Sequence, residues 1–157
     1  MQRSFMKLNP IVKNILSILA VIIGSIVLWN IAFLLDYMLA QFLYGVFPPS
    51  ITRANWFAPA EFAIFVAVMG LISWFILRSK LAVVGKAIYL TVPALLSLSV
   101  IGILFYRWPG VSYGLNGLIA VSVLALLLKQ KKPWLYAFAV AFTAIAYFAV
   151  STIGGRM

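Results

Sequence analysis

Apolar runs separated by short polar breaks predict five membrane-crossing helices. The first run, residues 11–47, is interrupted only by Lys13, Asn14, Asn30, Asp36, Gln41 and a few hydroxyls. As one helix it would extend about 55 Å at 1.5 Å per residue. The hydrocarbon layer is about 30 Å thick, so the run must tilt, protrude, break or turn back. Residues 15–35 suffice for one span, with Asp36 at its far end. Residues 37–47 remain as a helical extension, an interfacial helix or a second short pass, and Pro48-Pro49 ends the run.

Four more apolar runs follow. The second span, 59–77, opens on Pro59 with Glu61 two residues later. A first helical turn tolerates proline's missing N–H and favours negative charge. The third, 87–106, contains Pro93, where a kink is expected. A turn at Arg107-Trp108-Pro109-Gly110 leads into the fourth, 111–128. Lys129, Lys131, Lys132 and Pro133 then precede the fifth, 134–153. The chain therefore reads as one all-α integral membrane domain, 1–157. It is a polytopic transmembrane helical bundle of five spans, with either a long first helix or an added interfacial helix.

Composition agrees with this pattern. The chain is 66% hydrophobic and 9% charged, with a mean hydropathy of +1.14, whereas soluble proteins are about a quarter charged. No Cys is present for disulfide or thiol chemistry, and no His as metal ligand or general base. The formal charge of +10 lies in short clusters between apolar runs and forms no continuous face. Membrane lipids, with anionic headgroups at the basic loops, are the expected partners, and nucleic acid is not. Arg3 and Lys7 resemble the basic flank of a signal peptide, but the run behind them exceeds the usual apolar region of about 7–15 residues. It reads as an uncleaved anchor.

Charge then selects the topology. If the first run crosses once, Arg3, Lys7, Lys13, Arg78, Lys80, Lys86, Lys129, Lys131 and Lys132 share one side, and Arg53, Arg107 and Arg156 the other. Two crossings would divide the same residues six against six. Basic residues accumulate in short cytoplasmic loops, which favours a single crossing. The expectation is an N-terminus in the cytoplasm and a C-terminus outside, in a bacterial or archaeal cytoplasmic membrane. Trp56 and Trp108 then fall near the outer interface, and Trp74 and Trp134 near the inner one, as aromatic belts prefer.

Few polar side chains remain as candidates for function. On a continuous first helix Asn30, Tyr37, Gln41 and Tyr44 share a stripe about 60° wide at 100° per residue, and Asp36 points roughly 120° away. Such a stripe can line a cavity or supply interhelical hydrogen bonds of about 1 kcal/mol each. An ionised carboxylate at the bilayer centre costs about 2.5–3.5 kcal/mol or more, but Asp36 at the end of a span need not lie deep. Single crossing puts Asp36 and Glu61 near the outer face with Arg53 and Arg107. A polar outer vestibule follows as an expectation, its candidates being Asn30, Asp36, Tyr37, Gln41, Arg53, Glu61 and Arg107.

The fifth span is rich in Ala. Ala137, Ala141, Ala144, Phe148 and Ser151 form one helical stripe and Ala139, Thr143, Ala146 and Val150 the next. Small residues permit close helix approach, either within this chain or against a membrane protein partner. No internal repeat, phosphate-binding glycine loop or cofactor motif is present. An acid pair such as glycosidases use requires carboxyls about 5–9 Å apart, which the sequence does not establish, and an enzyme is not expected. Composition and size suit an accessory or structural subunit of a larger membrane complex. The alternatives are a small carrier or channel for a solute, ion or lipid, and a pore-forming or immunity-type membrane protein.

Overall fold

The computed structural model describes residues 9–154, which are helical apart from short connections. Six helices follow in order: α1 (Pro10–Val46), α2 (Pro49–Thr52), α3 (Phe57–Arg78), α4 (Val83–Leu104), α5 (Pro109–Lys129) and α6 (Trp134–Gly154). All but the one-turn α2 are long and apolar enough to cross a membrane.

The long first run is one unbroken helix of 37 residues. It starts where Asn9 Oδ1 accepts the Ile11 N–H at 3.1 Å and Pro10 occupies the first helical position. No glycine pair or proline interrupts it before Phe47 turns extended ahead of Pro48. Residues 37–46 therefore extend α1 and form no separate interfacial helix. The surplus length is divided between both ends. Ala87 of α4 packs with Val21, and α4 begins only four residues before Ala87. Residues 10–16 consequently overhang the bundle by about 10 Å, and all are exposed.

Helix α4 is the central pillar and touches α1, α3, α5 and α6. Each core cluster includes it. Val92 and Leu96 meet Ala32 of α1 and Phe65 and Met69 of α3. Ala87 meets Val21 of α1 and Leu135 and Ala139 of α6. Leu98 meets Ala120 of α5 and Ala144 of α6. Between two lipid-immersed helices no hydrophobic gain accrues, so small residues that let backbones approach mark the contacts. Gly24 is the clearest case: a Cβ there would stand 2.8 Å from Ile88 Cδ1 and 3.0 Å from its Cγ2.

The small residues of α6 serve this same purpose inside the chain. Ala139 and Thr143 are wholly buried, and Ala144 nearly so. Thr143 returns its hydroxyl to Ala139 O at 2.8 Å, as Ser73 does to Met69 O at 2.6 Å. These two buried hydroxyls are thus satisfied by their own helices.

Two helix boundaries differ instructively from the hydrophobic pattern. Helix α3 starts at Phe57, with Pro59 at its third position, where an unpaired N–H would otherwise be wasted. Helix α4 starts at Val83 and takes in Lys86, whose ammonium reaches back to the Leu77 carbonyl at 2.9 Å. That carbonyl belongs to the last turn of α3, the negative end of its dipole.

Candidate functional site

On α1, Val21, Ser25 and Ala32 are buried, and one further turn from Ala32 along that face is Asp36. The face turned to α4 therefore ends in a carboxylate. Asp36 opens onto a cavity of about 580 Å³ lined by all five long helices. Phe33 comes from α1, Phe62 and Phe65 from α3, Ser99 and Gly102 from α4, Ser112 and Tyr113 from α5, and Tyr147 and Ser151 from α6. Tyr106, just beyond α4, adds to the lining. The cavity lies level with the last two turns of α4, at the end of the bundle opposite the basic loops.

Six aromatic rings are the bulkiest part of its walls, and its polar groups are Asp36 and hydroxyls. Asp36 Oδ1 is buried and has no hydrogen-bond partner among the described residues, and Glu61 Oε1, on the neighbouring α3, is in the same condition. Asp36 and Glu61 are the only acidic residues in the chain. Tyr147 reaches across α4 because residue 102 is glycine: the tyrosine hydroxyl lies where a Cβ would be.

The expected vestibule is only partly assembled. Asp36 lines the cavity and Glu61 stands beside it. Arg53, at the end of α2, is exposed. Arg107 is also exposed; its Nε donates to the Tyr106 hydroxyl at 2.9 Å and its guanidinium lies 5.7 Å from that ring's centre. Neither arginine forms a hydrogen bond with an acid. Arg107 is turned instead toward its own neighbour.

The polar stripe of α1 does not line the cavity. Asn30, Tyr37, Gln41 and Tyr44 are all exposed and none lines the cavity, which follows from the angle separating them from Asp36. Asn30 Nδ2 donates to Ile26 O of its own helix at 2.7 Å, and Tyr44 packs edge-on to Phe57 at 5.1 Å.

The cavity's aromatic residues went unnoticed in the hydrophobic pattern, although a signal exists. Ser99, Gly102 and Tyr106 follow 3-4 spacing on α4 and beyond it, Phe62 and Phe65 are three apart on α3, and Tyr147 and Ser151 are four apart on α6. All lie toward the end of the bundle that carries Asp36 and Glu61.

Comparison with known proteins gave no match: no protein-family model, no curated protein and no solved structure corresponds to the chain.

Proposed function

We propose that the protein is a small membrane carrier for an amphiphilic organic cation, with Asp36 as the counter-ion. One observation carries this reading: a carboxylate whose buried Oδ1 has no partner among the described residues opens into a ligand-sized cavity lined by six aromatic side chains, with Leu96, Ile103, Pro109 and three serines between them. Sites for small molecules are commonly about 300–1,000 Å³, mostly apolar, with a few placed polar groups. A desolvated carboxylate without a cation attracts one. The faces of Phe33, Phe62, Phe65, Tyr106, Tyr113 and Tyr147 supply apolar area and cation–π attraction. Glu61 adds a second negative charge nearby without itself lining the cavity.

The test is binding of tetraphenylphosphonium to the purified chain in detergent, followed by its flux in proteoliposomes. Asp36→Asn is expected to weaken binding by about tenfold, the worth of one ion-pair attraction in a partly desolvated site, and to abolish flux. Equal binding by the wild type and Asp36→Asn would remove the basis of the proposal.

A second reading, an accessory subunit of a membrane complex, draws on a different face. Gln41 and Tyr37 stand exposed on α1 outside the cavity lining, and amides in such positions form interhelical hydrogen bonds. A photo-crosslinker at Gln41 giving one discrete adduct in native membranes would favour that reading.

A further inference from the structure

The end of the bundle opposite Asp36 carries a second cavity, of about 360 Å³. It lies between the last turn of α3, the beginnings of α4 and α6, and the α5–α6 connection. Its walls are Leu77, Leu90, Leu127 and Pro133, and its polar groups are Lys86, Lys132 and Tyr136. We propose that this cavity holds the phosphate of an anionic phospholipid headgroup, with the start of an acyl chain against the leucines.

Three observations support the assignment independently of the Asp36 cavity. First, the ammonium of Lys86 and the backbone of Lys132 are held in place. Lys86 donates one of its three N–H groups to Leu77 O at 2.9 Å, which leaves two for a ligand. Lys132 is fixed by the turn that ends α5: its N–H bonds to Leu127 O at 3.1 Å, and the Lys131 N–H to Leu128 O at 3.0 Å. This is the paired closure of a Schellman turn, and Lys131 adopts the left-handed conformation, φ 51°, usually given to glycine.

Second, these cations have no acidic side chain to neutralise them. Arg78, Lys80, Lys86, Lys129, Lys131 and Lys132 crowd one end of the bundle, whereas Asp36 and Glu61, the chain's only acidic residues, lie toward the other. An anion must come from outside the fold. Third, a lining that combines two ammonium groups and a phenol with three leucines matches a molecule whose phosphate is attached to hydrocarbon. Exposed Trp74 and Trp134 at the same end suit a headgroup region, and basic pockets between membrane helices recognise such lipids.

The experiment compares the full chain and three variants in mixed micelles containing phosphatidylglycerol or phosphatidylcholine. Retained lipid is counted by native mass spectrometry, and thermal unfolding is measured in parallel. Phosphatidylglycerol should be retained and should raise the unfolding temperature, while phosphatidylcholine should do neither. Lys132→Gln should reduce retention about tenfold, and Tyr136→Phe, which removes only a hydroxyl, about threefold. Lys129→Gln, which removes a charge from the same end but outside the cavity, should reduce it less than about twofold. Equal losses for Lys132→Gln and Lys129→Gln would mean diffuse attraction and overturn the site. So would equal retention of the two lipids. Stabilisation by inorganic phosphate that matches the lipid's would replace the lipid with free phosphate and overturn the assignment as stated. Tyr136→Phe keeps the test decisive should Lys132→Gln unfold.

Discussion

Gly24→Ala tests the α1–α4 contact with a single carbon atom. The added Cβ would lie 2.8, 3.0 and 3.1 Å from Ile88 Cδ1, Cγ2 and Cγ1. Carbon atoms rest at about 3.5–4.0 Å, so Ile88 must change rotamer or the helices must separate by roughly 0.7 Å. Overpacking of this kind costs about 1–3 kcal/mol. Replacing a mid-helix glycine by alanine returns about 0.5–1 kcal/mol, leaving a net loss of about 1 kcal/mol. The diagnostic result lies in a second background. Ile88→Ala removes all three opposing atoms, so adding Gly24→Ala to it should now stabilise the protein by about 0.5–1 kcal/mol. Equilibrium unfolding in mixed micelles titrated with a denaturing detergent would give the four values of the double-mutant cycle. A coupling below about 0.5 kcal/mol, the usual scatter for independent sites, would refute the close approach of α1 to α4.

Two further predictions concern the basic end and the orientation. Lys131→Gly should stabilise the chain by about 1 kcal/mol, because a side chain in the left-handed region costs about 1–2 kcal/mol and glycine avoids most of it; thermal unfolding that falls or stays unchanged would contradict the strain. Because the chain has no Cys, Arg53→Cys and Lys80→Cys are clean probes of sidedness. In intact cells a membrane-impermeant maleimide should label the Arg53→Cys variant and spare the Lys80→Cys variant, and the reverse pattern would invert the topology.

The five spans are legible in the sequence because lipid demands long apolar helices and the polar breaks between them are sharp. Helix boundaries are less so where a long side chain blurs the polar break. Lys86 looks like loop by charge, yet it belongs to α4 because its stem can carry the ammonium back to Leu77. The overhang of residues 10–16 is illegible for another reason. Hydropathy gives a run's length but not its vertical register, which is set here by Val21 meeting Ala87.

The candidate site shows the same division. Asp36 stands out because acids are rare in membrane helices. The polar stripe of Asn30, Tyr37 and Gln41 misleads because in soluble proteins polarity marks the outside, whereas here either face could be polar. The better guide is size: Gly24, Ser25 and Ala32 identify the packed face of α1, and Asp36 continues it. The fate of Arg53 and Arg107 depends on loop geometry, which no periodicity encodes.

The central position of α4 also bears on biosynthesis. No core cluster can be completed until Leu96 has emerged, since every one of them includes α4, and two of the three wait for α6 as well. During synthesis α1 and α3 must therefore wait in or beside the membrane without their main partner, with Asp36 and Glu61 uncovered. The nascent chain then depends on the insertion machinery, or on lipid and water reaching the carboxyls, for longer than the hydropathy of either helix suggests. Substitutions in α4 such as at Val92 or Leu96 should accordingly act first on the yield of inserted protein, before they are felt in the stability of what has folded.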